Sequence, residues 1–193
     1  PDREDDRKRL ESILAQSDRL GRLVSRLLDV SRAEMGRLDL ALAETDAVAV
    51  VRRTLDAARG LSTAHNLHVV APGEVVVVWD EVRIEQVLTN LVSNAIKYSP
   101  GGTVQVTVEE TEDDWVRVGV QDEGPGIPEH LRLSLFDRYV RGRRRGQQEG
   151  SGLGLGLYVV GQIVKAHGGD VTAANASDGG AVFTVRLPLN PAL

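Results

Sequence analysis

The chain has 193 residues, of which 26% are charged and 41% are hydrophobic, and its net charge is −5. This length accommodates one ordinary domain and a small additional element, and the acidic balance argues against a nucleic-acid-binding protein. The absence of cysteine excludes disulfides and thiolate metal sites, and no apolar run approaches the roughly 18 residues that a membrane-spanning helix needs. Because the chain begins with Pro1 and Met35 is its only methionine, we expect a fragment of a longer protein.

Residues 4–35 show the heptad pattern of a long bundle helix. Two lines of residues spaced by seven form an a/d stripe: Leu10, Ser17, Val24, Ser31 and Ile13, Leu20, Leu27. A single helix with such a stripe needs a partner to be stable, either within its own domain or in a bundle or dimer. The heptad spacing favours the bundle or dimer, and Gly36 is a plausible end of the helix.

After a connector at 37–45, the pattern changes to that of a compact domain over 46–193. A helix is predicted over 47–59, with Thr45 or Asp46 as its cap. Two β-branched strands follow, "LHVVAP" and "VVVVW", separated by "PGE". Asp80 then caps a helix that contains "EQVLTNLVSNAIKYSP".

The second half of the chain alternates hairpins and helices. "TVQVTVEE" and "WVRVGVQD" form one hairpin across "TEDD", and "DVTAANA" and "AVFTVRLP" form another across "SDGG". Between them lie a short helix near 129–134, a basic segment at 141–152 and a helix over 153–167 that ends at "HGG". This order predicts an α+β two-layer sandwich, in which helices cover a mixed, largely antiparallel sheet, preceded by the long N-terminal bundle helix.

Two asparagines interrupt the otherwise good helix after Asp80. Asn90, Asn94 and the pair Lys97 and Tyr98 share one helix face, opposite the apolar residues. Amide oxygens are neutral, hard ligands suited to Mg²⁺, and a lysine supplies a point charge for phosphate. A solvated helix face is an equally plausible interpretation of this stretch alone.

Two glycine-rich stretches are further candidates for ligand binding. In "QDEGPGIP", Asp122 ends a strand and Gly124 and Gly126 follow, which lets the backbone lie close to a flat ligand while the carboxylate accepts from an amine. Taken alone, this stretch is weak evidence for a ligand site, and a glycine-rich turn capped by aspartate is the better interpretation. In "GSGLGLGLYVVGQIV", four glycines lead into a helix, as expected where an anion approaches a helix N-terminus. Neither a Walker A loop nor a Rossmann fingerprint fits that stretch.

In this order, the N-x-x-x-N-A-x-K-Y helix, D-x-G-x-G, L-F-D-R-Y and G-S-G-L-G-L resemble the catalytic core of bacterial sensor histidine kinases. These kinases belong to the superfamily of gyrase, chaperone, kinase and MutL-type ATPases. The resemblance covers roughly residues 45–188. Residues 5–36 look like the second helix of that family's dimerisation and phosphotransfer domain.

The resemblance implies that ATP or ADP binds with Mg²⁺, the metal being held by Asn94 with Asn90 beside it. It assigns Lys97 to phosphate, Tyr98 to the ribose or adenine edge and Asp122 to the adenine amino group. The nucleotide-binding residues that it implies are Asn90, Asn94, Lys97, Tyr98, Asp122, Gly124, Gly126, Ile127, Arg141, Gly150, Gly152, Leu153, Gly154 and Leu155. Residues 142–149 correspond to a lid, which Phe136 and Tyr139 anchor.

The chain also departs from the family pattern. None of its four histidines stands in the phosphoacceptor context, so the resemblance implies that the acceptor lies outside this chain and that the chain alone carries no catalytic histidine. Gly156 stands where alanine is more usual. Gyrase-type and chaperone-type ATPases have a glutamate base four residues before the metal-binding asparagine, and that position is Asn90 here, which argues against hydrolysis.

The resemblance further implies a protein-histidine kinase with a response-regulator receiver domain as its partner. It implies a parent that dimerises through the N-terminal helix and a cytoplasmic location, whether or not that parent is anchored in a membrane. We expect neither nucleic acid nor a membrane to contact this chain. A hydrolysing ATPase of the gyrase or chaperone type and a scaffold module that does not use ATP are the alternatives.

Overall fold

The computed structural model describes residues 38–140, 142 and 153–191, together with eight residues nearer the N-terminus: 7, 9, 10, 13, 14, 16, 17 and 21. These eight are helical and exposed. The predicted helix over 4–35 therefore lies mostly outside the described residues. The chain divides into two compact units, Pro1–Leu38 and Asp39–Leu193. Among the described residues, no helix is both long enough and apolar enough to cross a membrane.

The second unit is an α+β domain with two sheets and three α-helices in its described part. Its strands are β1 (Ala43–Asp46), β2 (His65–Val70), β3 (Val76–Trp79), β4 (Gly102–Thr111), β5 (Trp115–Gln121), β6 (Asp170–Asn175) and β7 (Ala181–Pro188). Its helices are α1 (Ala47–Ala58), α2 (Glu81–Tyr98) and α3 (Gly156–Ala166), with short 3-10 helices at Arg59–Leu61 and Glu129–Ser134.

The main sheet has the strand order β2-β4-β5-β7-β6. Only β2 and β4 run parallel, and the other neighbours are antiparallel. The hairpins β4–β5 and β6–β7 were both predicted. Strand β3 instead pairs with β1 in a separate antiparallel ribbon. The predicted connector at 37–45 therefore contains most of a strand, which the polar sequence "AETD" conceals because its pairing partner lies about 30 residues further on.

The core lies between one face of the main sheet and the helices. Alternate residues of the central strands are buried, as period-two patterning requires: Val104, Val106, Val108, Val116, Val118, Val120, Phe183, Val185 and Leu187. The helices contribute Val51, Leu55, Val87, Leu88, Leu91, Val92, Val160 and Ile163. Each such side chain contributes about 1.5–3 kcal/mol when it is fully buried. The predicted two-layer α+β architecture is confirmed.

Side chains fix the start of two helices. The Asp46 carboxylate accepts from the Val48 N–H at 2.9 Å, so of the two candidate caps of α1 it is Asp46 that acts. Asp80 caps α2 by accepting from the Arg83 N–H at 3.1 Å, as predicted. Helix α2 ends at Tyr98 because Ser99 is extended, the conformation favoured before a proline such as Pro100.

His167 joins the end of α3 to the start of α2. It is fully buried, its Nε2 accepts from the Asp80 N–H at 3.1 Å, and its Nδ1 lies 2.9 Å from the Ile163 carbonyl, to which it donates. The ring is therefore neutral, with its proton on Nδ1. Burial is the main cause that lowers its pKa from the usual 6.5.

We expect this histidine to make the protein less stable in mild acid. Below about pH 6.5 the unfolded chain binds a proton at His167, whereas the folded chain does so only at lower pH, so protonation favours unfolding. Between pH 7.5 and 5.5 the wild type should lose more free energy of unfolding than His167→Gln. At pH 7.5 that variant should itself be less stable by about 1–3 kcal/mol, because buried hydrogen bonds are lost.

Urea unfolding at the two pH values measures these losses. His130→Gln is the matched control, because His130 is exposed on the 3-10 helix Glu129–Ser134, and it should keep the pH dependence of the wild type. Equal losses in the wild type and in His167→Gln would contradict the prediction.

Candidate functional site

Helix α2 buries one face in the core and turns two asparagines away from it. Asn90 is only 8% exposed, and Asn94 is half-buried one turn later. Neither side-chain amide hydrogen-bonds to any residue in the described part of the chain. The amide atoms of Asn90 still reach solvent, because they are not among the fully buried polar atoms of the described residues that lack a hydrogen bond. Both amides are therefore open to a ligand.

The Asn90 amide lies against the first residue of α3. A methyl group at Gly156 would come within 3.3 Å of Asn90 Oδ1. Leu155 precedes the helix and has no side-chain oxygen with which to cap it, so the first N–H groups of α3 are available to an anion. A neutral oxygen ligand and a helix N-terminus thus stand side by side.

Two contacts fix the relative position of α2 and α3. His167, after the end of α3, meets Asp80, before the start of α2, and Gly156, at the start of α3, meets Asn90. Asp80 and Asn90 are about 15 Å apart along α2, at 1.5 Å per residue, and Gly156 and His167 are separated by about the same distance along α3. The helices therefore run antiparallel in matching register, and this register is what places Asn90 at the open end of α3.

The loop at 122–127, here called the strap, crosses the C-terminal end of α2. A methyl group at Gly124 would lie 3.3 Å from the Tyr98 carbonyl oxygen. Asp122 is 4% exposed, and its Oδ1 accepts from the N–H groups of Gly124, at 2.7 Å, and Ala181, at 3.3 Å. Its Oδ2 receives no hydrogen bond from the described residues. One oxygen thus orients the carboxylate, and the other remains for a donor.

The side chain of Lys97 lies beside its neighbour in the sequence, Tyr98. It is exposed, and its Nζ lies 5.0 Å from the centre of the neighbouring Tyr98 ring, a cation–π geometry. This contact holds the ammonium beside the ring that the resemblance assigns to the ribose or adenine edge. The assignment of Lys97 to phosphate stays a prediction.

The backbone at Gly154 contacts the segment that precedes the predicted lid. The Tyr139 N–H donates to the Gly154 carbonyl at 3.0 Å, and a methyl group at Gly154 would lie 2.8 Å from the Val140 oxygen. Gly154 has a φ of +69°, a conformation that favours glycine. The ring of Tyr139 is 64% exposed, and this contact is made by its backbone. The lid lies outside the described residues, so the anchoring role of Phe136 and Tyr139 stays a prediction.

Leu153, Gly154 and Leu155 precede α3, which was predicted to start at 153 and starts at Gly156. Leu155 is buried, whereas Leu153 is 42% exposed. Of the other predicted residues, Arg141, Gly150 and Gly152 lie outside the described residues, as does the lid after residue 142.

Asn175, at the end of β6, contacts the strap and was not singled out from the sequence. Its Oδ1 accepts from the Ile127 N–H at 2.6 Å, and its Nδ2 donates to the Ile127 carbonyl at 3.1 Å. The only sequence signal was a polar residue ending a strand. Its partner lies 48 positions away, which no local pattern reveals.

Comparison with known proteins agrees with this geometry. The sequence profile of the histidine kinase-, DNA gyrase B- and HSP90-like ATPases matches residues 79–191. AfsQ2 of Streptomyces coelicolor, named a signal transduction histidine-protein kinase, is 36% identical over 93% of this chain and 32% of its own length. A Dictyostelium discoideum hybrid signal transduction histidine kinase is 35% identical over 96% of this chain, which spans only 12% of that protein.

Solved structures show the same fold. Full-length ShkA, determined in complex with AMPPNP, superposes with a TM-score of 0.78 at 28% identity, over 91% of this chain and 37% of its own. The family and fold class predicted from the sequence are confirmed. The chain belongs to the histidine kinase-, DNA gyrase B- and HSP90-like ATPase family, within which it is a catalytic core of the sensor histidine kinase type.

Proposed function

We propose that this chain binds Mg²⁺–ATP at the site formed by α2, α3 and the strap, and holds the γ-phosphate for transfer to a histidine that lies outside the chain. The observation that carries the proposal is Asn90, a residue only 8% exposed whose amide has no partner in the described part of the chain and lies next to the open N-terminus of α3. The complex of the similar ShkA with AMPPNP supports it.

The residues present fit a magnesium ion. Asn90 and Asn94 offer uncharged oxygens one helical turn apart, and Mg²⁺ favours a few such oxygens together with water and substrate phosphates. When bound, the ion neutralises phosphate charge. The N–H groups at the start of α3 would face the phosphates, and Asp122 Oδ2 would accept from the adenine amino group while Oδ1 keeps the carboxylate in place.

The proposed reaction is phosphoryl transfer to nitrogen. A histidine nitrogen attacks the γ-phosphorus, the bond to the bridging oxygen breaks, and ADP leaves. The chain contributes positioning and charge stabilisation, which are the main protein contributions to such reactions. Asn90 stands where hydrolytic relatives carry a glutamate base. An amide cannot take a proton from water, so transfer is favoured over hydrolysis.

We further propose the setting in which this core works. The chain spans 12% and 32% of two curated relatives, so its parent would supply the acceptor histidine and other parts. The parent would pass the phosphoryl group to a response-regulator receiver domain and dimerise through residues 1–36, with this core in the cytoplasm. Leu10, Ile13 and Leu14 are each at least 60% exposed and share one helix face, which supports association there.

The first expected result is binding of Mg²⁺–ADP at one site per chain. Asn94→Ala should weaken this binding by about tenfold and abolish its dependence on magnesium, because a charged ligand loses a partner worth about 1.5 kcal/mol or more. Asp122→Ala should weaken ADP far more than inorganic tripolyphosphate. Titration calorimetry measures both effects.

Asn66→Ala is the matched control, because Asn66 is an exposed asparagine on the edge strand β2, and it should bind as the wild type does. If the wild type fails to bind nucleotide at millimolar concentration, the scaffold alternative holds instead.

The second expected result concerns the reaction. Incubated with γ-labelled ATP, the isolated chain should remain unlabelled, because none of its histidines stands in an acceptor context, and ATP turnover should be slow because of Asn90. An acid-labile, base-stable label on the chain would point to one of its own histidines. Rapid release of phosphate would instead favour the hydrolase alternative.

The third expected result concerns association. Removing residues 1–36 should leave a folded monomer that still binds nucleotide, because residues 39–193 form a compact unit of their own. In the full chain, Leu10→Asp combined with Ile13→Asp should abolish self-association by charging the exposed apolar face. Analytical ultracentrifugation distinguishes the species, and a full chain that is monomeric at high concentration contradicts the prediction.

A further inference from the structure

The last residue of the strap, Ile127, is held by the side chain of Asn175. Asn175 accepts from the Ile127 N–H and donates to the Ile127 carbonyl, so one amide satisfies both backbone groups of that residue. The contact is close, because a methyl group at Gly126 would lie 2.8 Å from Asn175 Oδ1. Ile127 itself is 8% exposed, so Asn175 fixes a buried residue of the strap.

The first residue of the strap, Asp122, is held by strand β7, which forms a hairpin with β6, the strand that carries Asn175. The Asp122 N–H donates to the Ala181 carbonyl at 2.9 Å, and the Ala181 N–H donates to Asp122 Oδ1 at 3.3 Å. Gly180 makes this approach possible, because a methyl group there would lie 1.8 Å from the Asp122 carbonyl oxygen.

The two anchors form one structural unit. Asn175 and Ala181 face each other in the β6–β7 ladder, as its final pair before the turn. The six-residue strap therefore begins and ends on a single residue pair of one hairpin. Its shape is set by that pair and by the internal Asp122–Gly124 hydrogen bond.

We propose that Asn175 is a positioning residue for base recognition, through which the β6–β7 hairpin fixes the strap and, with it, the selectivity of the site for adenine. This inference rests on the proposed function and adds a determinant of its base specificity. Without Asn175 the Ile127 end of the strap loses both of its hydrogen bonds to the hairpin. That end of the strap then becomes mobile, whereas Asn90, Asn94 and the start of α3 keep their places.

The test compares a nucleotide with its phosphate portion alone. In Asn175→Ala, the Kd of Mg²⁺–ADP should rise about three- to tenfold, as expected when hydrogen bonds that order a binding loop are lost. The Kd of magnesium tripolyphosphate should stay within about twofold, and the preference for ADP over GDP should shrink. A loss of global stability alone would change neither ratio, because folded molecules would bind as before.

A second variant at position 175 and a control variant elsewhere complete the comparison. Asn175→Asp keeps the acceptor for the Ile127 N–H and loses the donor to its carbonyl, so its loss of ADP affinity should again exceed its loss of tripolyphosphate affinity. Asn66→Ala, an exposed strand asparagine outside the site, should leave all three Kd values unchanged.

The inference is overturned if Asn175→Ala binds ADP as tightly as the wild type, or if its affinities for ADP and tripolyphosphate fall by the same factor. A wild-type chain that binds tripolyphosphate but not ADP would overturn the proposed adenine site itself. The two failures are therefore distinguishable.

Discussion

The site depends on which face of helix α2 the core buries. Val87, Leu88, Leu91 and Val92 lie under the sheet with less than 2% of their surface exposed, and this burial sets the rotation of the helix about its axis. Asn90 is then directed towards α3. Rotating the helix to turn that amide away from α3 would expose several apolar side chains, each worth about 1.5–3 kcal/mol. Core packing thus holds an unpaired polar group in place, where a ligand can use it.

Rotation alone does not set the position of the site along the helices. The buried hydrogen bond between His167 and Asp80 fixes α3 against α2 at one end, so the open N-terminus of α3 meets Asn90 at the other. The strap is fixed separately, by the β6–β7 hairpin through Asn175 and Ala181. The phosphate end and the base end of the proposed site therefore have different supports, which is why we expect their affinities to be separable by mutation.

Local chemistry made much of this predictable from the sequence. Asp46 and Asp80 cap helices by bonding within three residues of themselves, and the hairpins follow from alternating patterns and short turns. What could not be predicted depends on distant partners. His167 is buried against Asp80, 87 positions away, and Asn175 contacts Ile127, 48 positions away. Strand β1 is polar, and only its pairing with β3 identifies it. The roles of Arg141, Gly150 and Gly152 remain predictions.

Asn90 and Asn94, whose amides have no partner in the described part of the chain, are the proposed ligands of a magnesium nucleotide. The most direct measurement follows the side-chain NH₂ signals of asparagines by nitrogen-resolved NMR during titration with Mg²⁺–ADP. We expect the signals of Asn90 and Asn94 to shift together as the site fills and to shift less with ADP alone, while that of Asn66 stays in place. If backbone signals of the strap shift while both amide signals remain unchanged, the claim is contradicted.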